Sequence, residues 1–122
     1  MEKLSDFSNS LNRLEEALKV DKSDISRDSA IKRFELAFDL AWKCIKEFSK
    51  DQGLECYSPR DCFKTAFELK LIDHDEKWLE MIQSRNESVH LYNEKGAENL
   101  FSKLPEFLNL LKGLNENLKS RY

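Results

Sequence analysis

The chain has 122 residues and a mass of 14.4 kDa, the length of one domain, read here as a single unit over 1–122. It is 40% hydrophobic and 35% charged with only 3 Gly and 2 Pro, which excludes disorder, collagen-like repeats and a loop-rich β-sandwich. A net charge of -3 and a pI near 5.5 exclude a surface that binds nucleic acid everywhere, but leave room for a local basic groove.

Only Val20 and Val89 represent valine, against many Leu, Phe, Lys and Glu, and that balance favours helix over sheet. A chain of this size buries roughly two thirds of its unfolded surface, so it needs no disulfide or zinc staple. Cys44, Cys56 and Cys62 are an odd count without a CxxC pair, and read as free thiols in a reducing cytoplasm. No apolar run reaches the length of a membrane span, and the acidic, amphipathic N-terminus does not read as a signal peptide.

The first predicted helix runs from about Leu4 to Lys19, with Leu4, Phe7, Leu11, Leu14 and Leu18 in one stripe. The turn Asp21-Lys22-Ser23-Asp24 ends it and offers caps to the next. The second and longest helix, about Ser26 to Lys50, carries two stripes. Ile31, Phe34, Phe38, Ala41, Ile45 and Phe48 form one; Leu36, Leu40 and Cys44 form the other. Apolar residues on more than one face make this helix central to the fold or shared with a partner. Gly53 closes it.

Ser58-Pro59-Arg60-Asp61 is a helix start, with Ser58 as N-cap, Pro59 at the first helical position and Asp61 reaching back. That helix extends to about Leu69. A fourth begins at Asp73 or His74 and carries Trp78, Leu79 and Ile82. The last starts between Glu94 and Ala97 and repeats Leu100, Leu104, Phe107, Leu111, Leu114 and Leu118, with a kink or break expected just before Pro105. The sum is an all-α, antiparallel up-and-down bundle of four or five helices. Its long stripes either fill the core or also serve a dimer interface.

Gly-rich phosphate loops, GxSxG and HExxH are absent, and no carboxylate set resembles a metal-dependent nuclease or transferase, so no metal site is expected. The segment Arg85-Asn86-Glu87-Ser88-Val89-His90-Leu91-Tyr92 stands out. On an unbroken helix, residues five apart diverge by roughly 140°. Arg85 and His90 therefore meet one groove only near a helix boundary, where Asn86 and Ser88 can recap the backbone. There a neutral imidazole can take the proton of a ribose 2′-hydroxyl, while a guanidinium holds the phosphate and stabilises its growing charge. The plainer alternative is a surface Arg beside a His that bonds a helix end. Glu35 and Asp39 lie i, i+4 in the most apolar helix; they either pair with Lys43 at the surface or orient Arg85 or His90 across the bundle. His74, between Asp73 and Asp75, reads as part of a helix-start polar cluster, and Trp42 and Trp78 as core residues rather than base-stacking platforms.

Arg85-x4-His90-x-Tyr92 resembles the R-x4-H-x-Y signature of HEPN domains. The stretch Arg33 to Lys43, the start Ser58-Pro59-Arg60, and Trp78-Leu79-Glu80-Met81 followed by Arg85-Asn86 resemble the branch called nucleotidyltransferase substrate-binding proteins. The resemblance covers about residues 3 to 118. It implies a helical bundle that is typically a homodimer, with the motif grooves near the dimer interface. It also implies a partner, a minimal nucleotidyltransferase that holds ATP and Mg, while this chain binds no cofactor itself. The role implied first is that enzyme's substrate-binding or regulatory subunit in a toxin-antitoxin-like pair. The alternative is a metal-independent endoribonuclease toxin acting on RNA, with Arg85 and His90 as the catalytic pair and Tyr92 the residue that the partner adenylylates. Asn86, Glu35 and Asp39 would then support the site.

Overall fold

The computed structural model describes residues 2–90 and 93–122. Among them five helices follow in order: α1 (Glu2–Lys19), α2 (Asp24–Asp51), α3 (Pro59–Glu68), α4 (Lys77–Ser88) and α5 (Glu94–Ser120). The all-α class is as expected; α1, α2 and α5 pack against one another, α3 packs on α2 and α4, and α4 also meets α5 and α2.

Local chemistry explains most boundaries. Ser23 caps α2 reciprocally with Ser26: its hydroxyl accepts from the Ser26 N–H, and the Ser26 hydroxyl accepts from the Ser23 N–H. At the other end, Gly53 has φ of 81°, and Leu54 N–H donates to the Ser49 carbonyl at 2.8 Å, a Schellman closure that glycine allows. Ser58 caps α3 with Pro59 in its first turn, and the Asp61 carboxylate accepts from the Tyr57 N–H at 3.2 Å. α3 ends in the same kind of closure, but Lys70 takes the left-handed position, with φ of 61°.

The stripes of α1 and α5 and the first stripe of α2 fill the core. Phe34 stacks on Phe107 at 5.6 Å between ring centroids, and Phe38 meets Phe63 at 5.5 Å. The second stripe of α2 divides: Cys44 is buried, Leu40 is partly buried, and Leu36 is 51% exposed.

Three expectations are corrected. First, the break expected before Pro105 is absent, and α5 continues through that residue. Pro105 itself is exposed, while Leu104, Phe107 and Leu108 are buried on either side of it, and that burial outweighs the roughly 3 kcal/mol that an interior proline costs. Second, α4 starts at Lys77, three residues beyond His74, because Asp75 takes the capping role: its carboxylate accepts from the Lys77 N–H at 2.9 Å. Third, Cys56 and Cys62 are joined in a disulfide, and only Cys44 is free. The chain reverses at Ser58-Pro59, bringing the two Cα atoms to 5.1 Å, a proximity that linear spacing does not reveal. Burial raises the Cys44 thiol pKa to about 12.

Among the described residues, no helix is long and apolar enough to cross a membrane, and no three His, Cys, Asp or Glu gather as metal ligands would.

Candidate functional site

The motif lies where α4 ends. Arg85 occupies its last turn, Ser88 is its final residue, and His90 sits in the following turn, its N–H donating to the Glu87 carbonyl at 2.9 Å. The helix therefore stops between Arg85 and His90, the boundary that the five-residue spacing needs. His90 is exposed. Tyr92 lies outside the described residues.

α2 supplies what holds Arg85. Glu35 and Asp39, one turn apart, face α4, and the guanidinium lies across both: Nη1 is 3.3 Å from Glu35 Oε2, and Nη2 is 3.5 Å from Asp39 Oδ2. Glu35 is nearly enclosed, its side chain 12% exposed, while those of Arg85 and Asp39 are 21% and 41% exposed. A carboxylate so enclosed needs several donors. Ser88 Oγ lies 2.7 Å from both Glu35 Oε2 and the Arg85 carbonyl oxygen, sharing its one proton between them, and Lys32 stands 3.6 Å from Glu35 Oε1. The Arg85 Nε is buried without a hydrogen-bond partner among the described residues. Glu35 and Asp39 thus pair with Arg85 rather than with Lys43. Asn86 is exposed on α4 and bonds to neither acid.

A cleft of ≈ 420 Å³ opens beside this network, bounded by Asp28, Lys32, Glu35, Ser88 and Val89. Its charged walls are two carboxylates, Asp28 and Glu35, and one ammonium, Lys32, beside the aliphatic surface of Ile31, Val89 and Ala97. Arg85 and His90 are not among its walls: the guanidinium lies against Glu35 and Asp39, and the imidazole is on the exposed turn. That pair can bind a phosphodiester and accept a proton without a metal.

Two residues matter more than the sequence reading suggests. Ser88, singled out there only for its effect on the backbone, braces Glu35. Arg27, not singled out there at all, has a side chain only 5% exposed and surrounded by Asp24, Asp28, Glu94 and Glu98. It ties the start of α2 to the start of α5, immediately after the motif. A signal for it is present: Arg27 falls in phase with Ile31, Phe34 and Phe38, and a cation in an apolar stripe marks a buried, paired charge.

Comparison with known proteins places this geometry. A Thermus thermophilus protein of known crystal structure superposes with a TM-score of 0.86 at 33% identity, over 92% of this chain and 98% of that one. A Haemophilus influenzae structure reported as the fold of a substrate binding domain of a nucleotidyltransferase gives a TM-score of 0.81 at 21% identity, over 95% of this chain and 98% of that one. The latter likeness speaks for the fold alone. In sequence, the "Probable ribonuclease HepT" of Haemophilus influenzae (strain Rd) is 26% identical over 97 residues, 75% of this chain and 66% of that protein's length. The family model "Nucleotidyltransferase substrate binding protein like" matches residues 2–120. The chain belongs to that nucleotidyltransferase substrate-binding family, the branch of HEPN domains that its motif blocks resemble.

Proposed function

We propose that this chain is the substrate-binding and regulatory subunit of a two-component system, paired with a minimal nucleotidyltransferase that carries ATP and Mg. The observation that carries the reading is the placement of the motif on a braced helix end. Arg85 is held by two carboxylates of α2, while the turn that follows it, with His90, is open to a partner's active site. Tyr92, two residues further on, is the proposed acceptor of AMP. Transfer would join the phenolic oxygen to the α-phosphorus of ATP and release pyrophosphate. A negative phosphodiester and a bulky base would then stand beside the groove and repel RNA phosphates. A homodimer through the exposed Leu36 and the neighbouring Leu40 accompanies this reading. The test is co-purification with the nucleotidyltransferase and incubation with ATP and Mg. A stable complex and a mass gain of one AMP support the proposal; neither appearing would refute it.

A second reading is favoured by the helix end that falls between Arg85 and His90, and by the name of the Haemophilus relative. Here the chain is a metal-independent endoribonuclease. His90 takes the proton of a ribose 2′-hydroxyl, and the 2′-oxygen attacks its own phosphorus. The bond to the 5′-oxygen breaks, that oxygen takes a proton from solvent, and a 2′,3′-cyclic end remains. Arg85 stabilises the charge that gathers on the phosphoryl oxygens. Glu35 and Asp39 are positioning residues, with Asn86 in a supporting role. Cleavage of mixed RNA in EDTA by wild type, and its loss in His90→Ala, is the expected result; equal cleavage by both would sink this reading.

A further inference from the structure

A second concavity lies between α3 and α4, on residues that neither reading uses. Its volume is ≈ 260 Å³ and its walls are nearly all carbon, with Phe63, Phe67, Ile72, Trp78, Leu79 and Ile82 forming the lining. The aromatic rings are set for a flat guest. Phe63 and Trp78 pack with centroids 5.0 Å apart at 30°, closing the floor, and Phe67 meets His74 edge-on at 5.4 Å, forming a wall. Phe67 is 44% exposed and Leu79 55% exposed, so the opening is apolar to its lip.

The rim carries charge in a definite pattern. Arg60 and Lys64 are one turn apart on the α3 face that also presents Phe63 and Phe67, and both are exposed. Among the described residues neither makes an ion pair, although other cations of this acidic chain, such as Lys22, Lys77 and Lys103, do. Asp73, Asp75 and Glu76 stand at the start of α4, on the opposite rim. An apolar slot with two unpaired cations on one lip and acids on the other binds a ring first and an anion second. The acids add hydrogen-bond acceptors for hydroxyl or amino groups.

We propose that this pocket is a binding site for a small aromatic anion: a planar ring seated against Phe67, Trp78 and Leu79, with a phosphate held between Arg60 and Lys64. A mononucleotide and an aryl phosphate share that chemistry. The site is separate from the Arg85 groove and does not depend on the nucleotidyltransferase reading.

The test is titration of the isotope-labelled full chain, followed by the Trp78 indole N–H resonance, which Trp42→Phe assigns. The probes are 5′-AMP, phenyl phosphate, adenosine and inorganic phosphate. AMP, phenyl phosphate or both should shift Trp78 saturably. Adenosine should bind about tenfold more weakly than AMP, and inorganic phosphate should leave Trp78 in place. Response to AMP alone assigns a nucleotide, and response to phenyl phosphate alone a single-ring anion. Arg60→Ala with Lys64→Ala should weaken the phosphate-bearing probe about tenfold and leave adenosine unchanged. Phe67→Ala, at an exposed position, should weaken both. The proposal fails if neither aromatic phosphate shifts Trp78, or if adenosine matches AMP. It also fails if Trp78 shifts with protein concentration alone, which would mean that a second copy covers the pocket. Arg85→Ala should leave the Trp78 response intact. If AMP instead moves only resonances beside Glu35 and Ser88, the pocket proposal falls while the Arg85 groove stands.

Discussion

Two arginines tie α2 to a neighbouring helix through carboxylates, Arg27 to α5 and Arg85 from α4, and they differ in what they leave free. The Arg27 side chain is 5% exposed, with Nη1 at 3.1 Å from Glu98, 3.5 Å from Asp24 and 3.6 Å from Glu94, and Nε at 3.0 Å from Asp28. Its pKa is raised, first by the Glu98 and then by the Asp28 hydrogen bond. Its Nε and Nη1 are both engaged by carboxylates. The Arg85 side chain is 21% exposed, meets two carboxylates at 3.3 and 3.5 Å, and has an Nε with no partner among the described residues. The first arrangement fastens two helix starts together. The second holds a cation in place without exhausting it, as a phosphate-binding group requires.

That contrast predicts a division of effects. On the ribonuclease reading, Arg85→Ala or His90→Ala should cut metal-free RNA cleavage by at least ~100-fold, the scale of losing a general base or a charge stabiliser. The exposed His90 should change stability by no more than ~0.5 kcal/mol, read by urea unfolding. Loss of activity in Arg27→Met at a temperature where it remains folded would erase the distinction. Glu35→Gln should lower cleavage about tenfold through misplacement of Arg85, and Glu35→Asp should restore part of it. A structural role alone would show no such rescue.

Arg27→Met should lower the melting temperature while sparing activity in the folded protein. Acid sharpens this comparison. The Glu98 carboxyl is held below its ordinary value of 4.5, first by Lys22 and then by Arg27. Its contribution is therefore present above that ordinary value and disappears as pH falls through the depressed one. The stability difference between wild type and Arg27→Met should narrow below about pH 4. At the far end of α3, Lys70→Gly should raise stability by about 1 kcal/mol, because glycine accepts the left-handed backbone that lysine occupies there. Alkylation of the denatured, unreduced chain should add one group, at Cys44, and three after reduction.

The helices were legible because their signals are local. The spacing of Leu4, Phe7, Leu11 and Leu14 needs only 3.6 residues per turn to become a buried face, and Ser58-Pro59 needs only its own chemistry to begin α3. The motif was legible as a pattern of residue types at a helix end. What was hidden depends on contacts between distant segments. Pro105 breaks a helix in isolation, but not one fixed by Leu104 and Phe107. Cys56 and Cys62 meet because the chain turns back at Ser58. The choice between Lys43 and Arg85 as partner for Glu35 and Asp39 is made by how α4 lies on α2, which periodicity along either helix does not encode.

The central proposal is that the end of α4, with Arg85 and His90, is the surface offered to a nucleotidyltransferase, and that Tyr92 accepts AMP. The most direct measurement is to incubate the chain with that enzyme, ATP and Mg, and to map the product by peptide mass. The account predicts one AMP per chain, on the peptide that contains Tyr92, and none in Tyr92→Phe. AMP on any other peptide, or a chain that neither binds the enzyme nor gains mass, would contradict it.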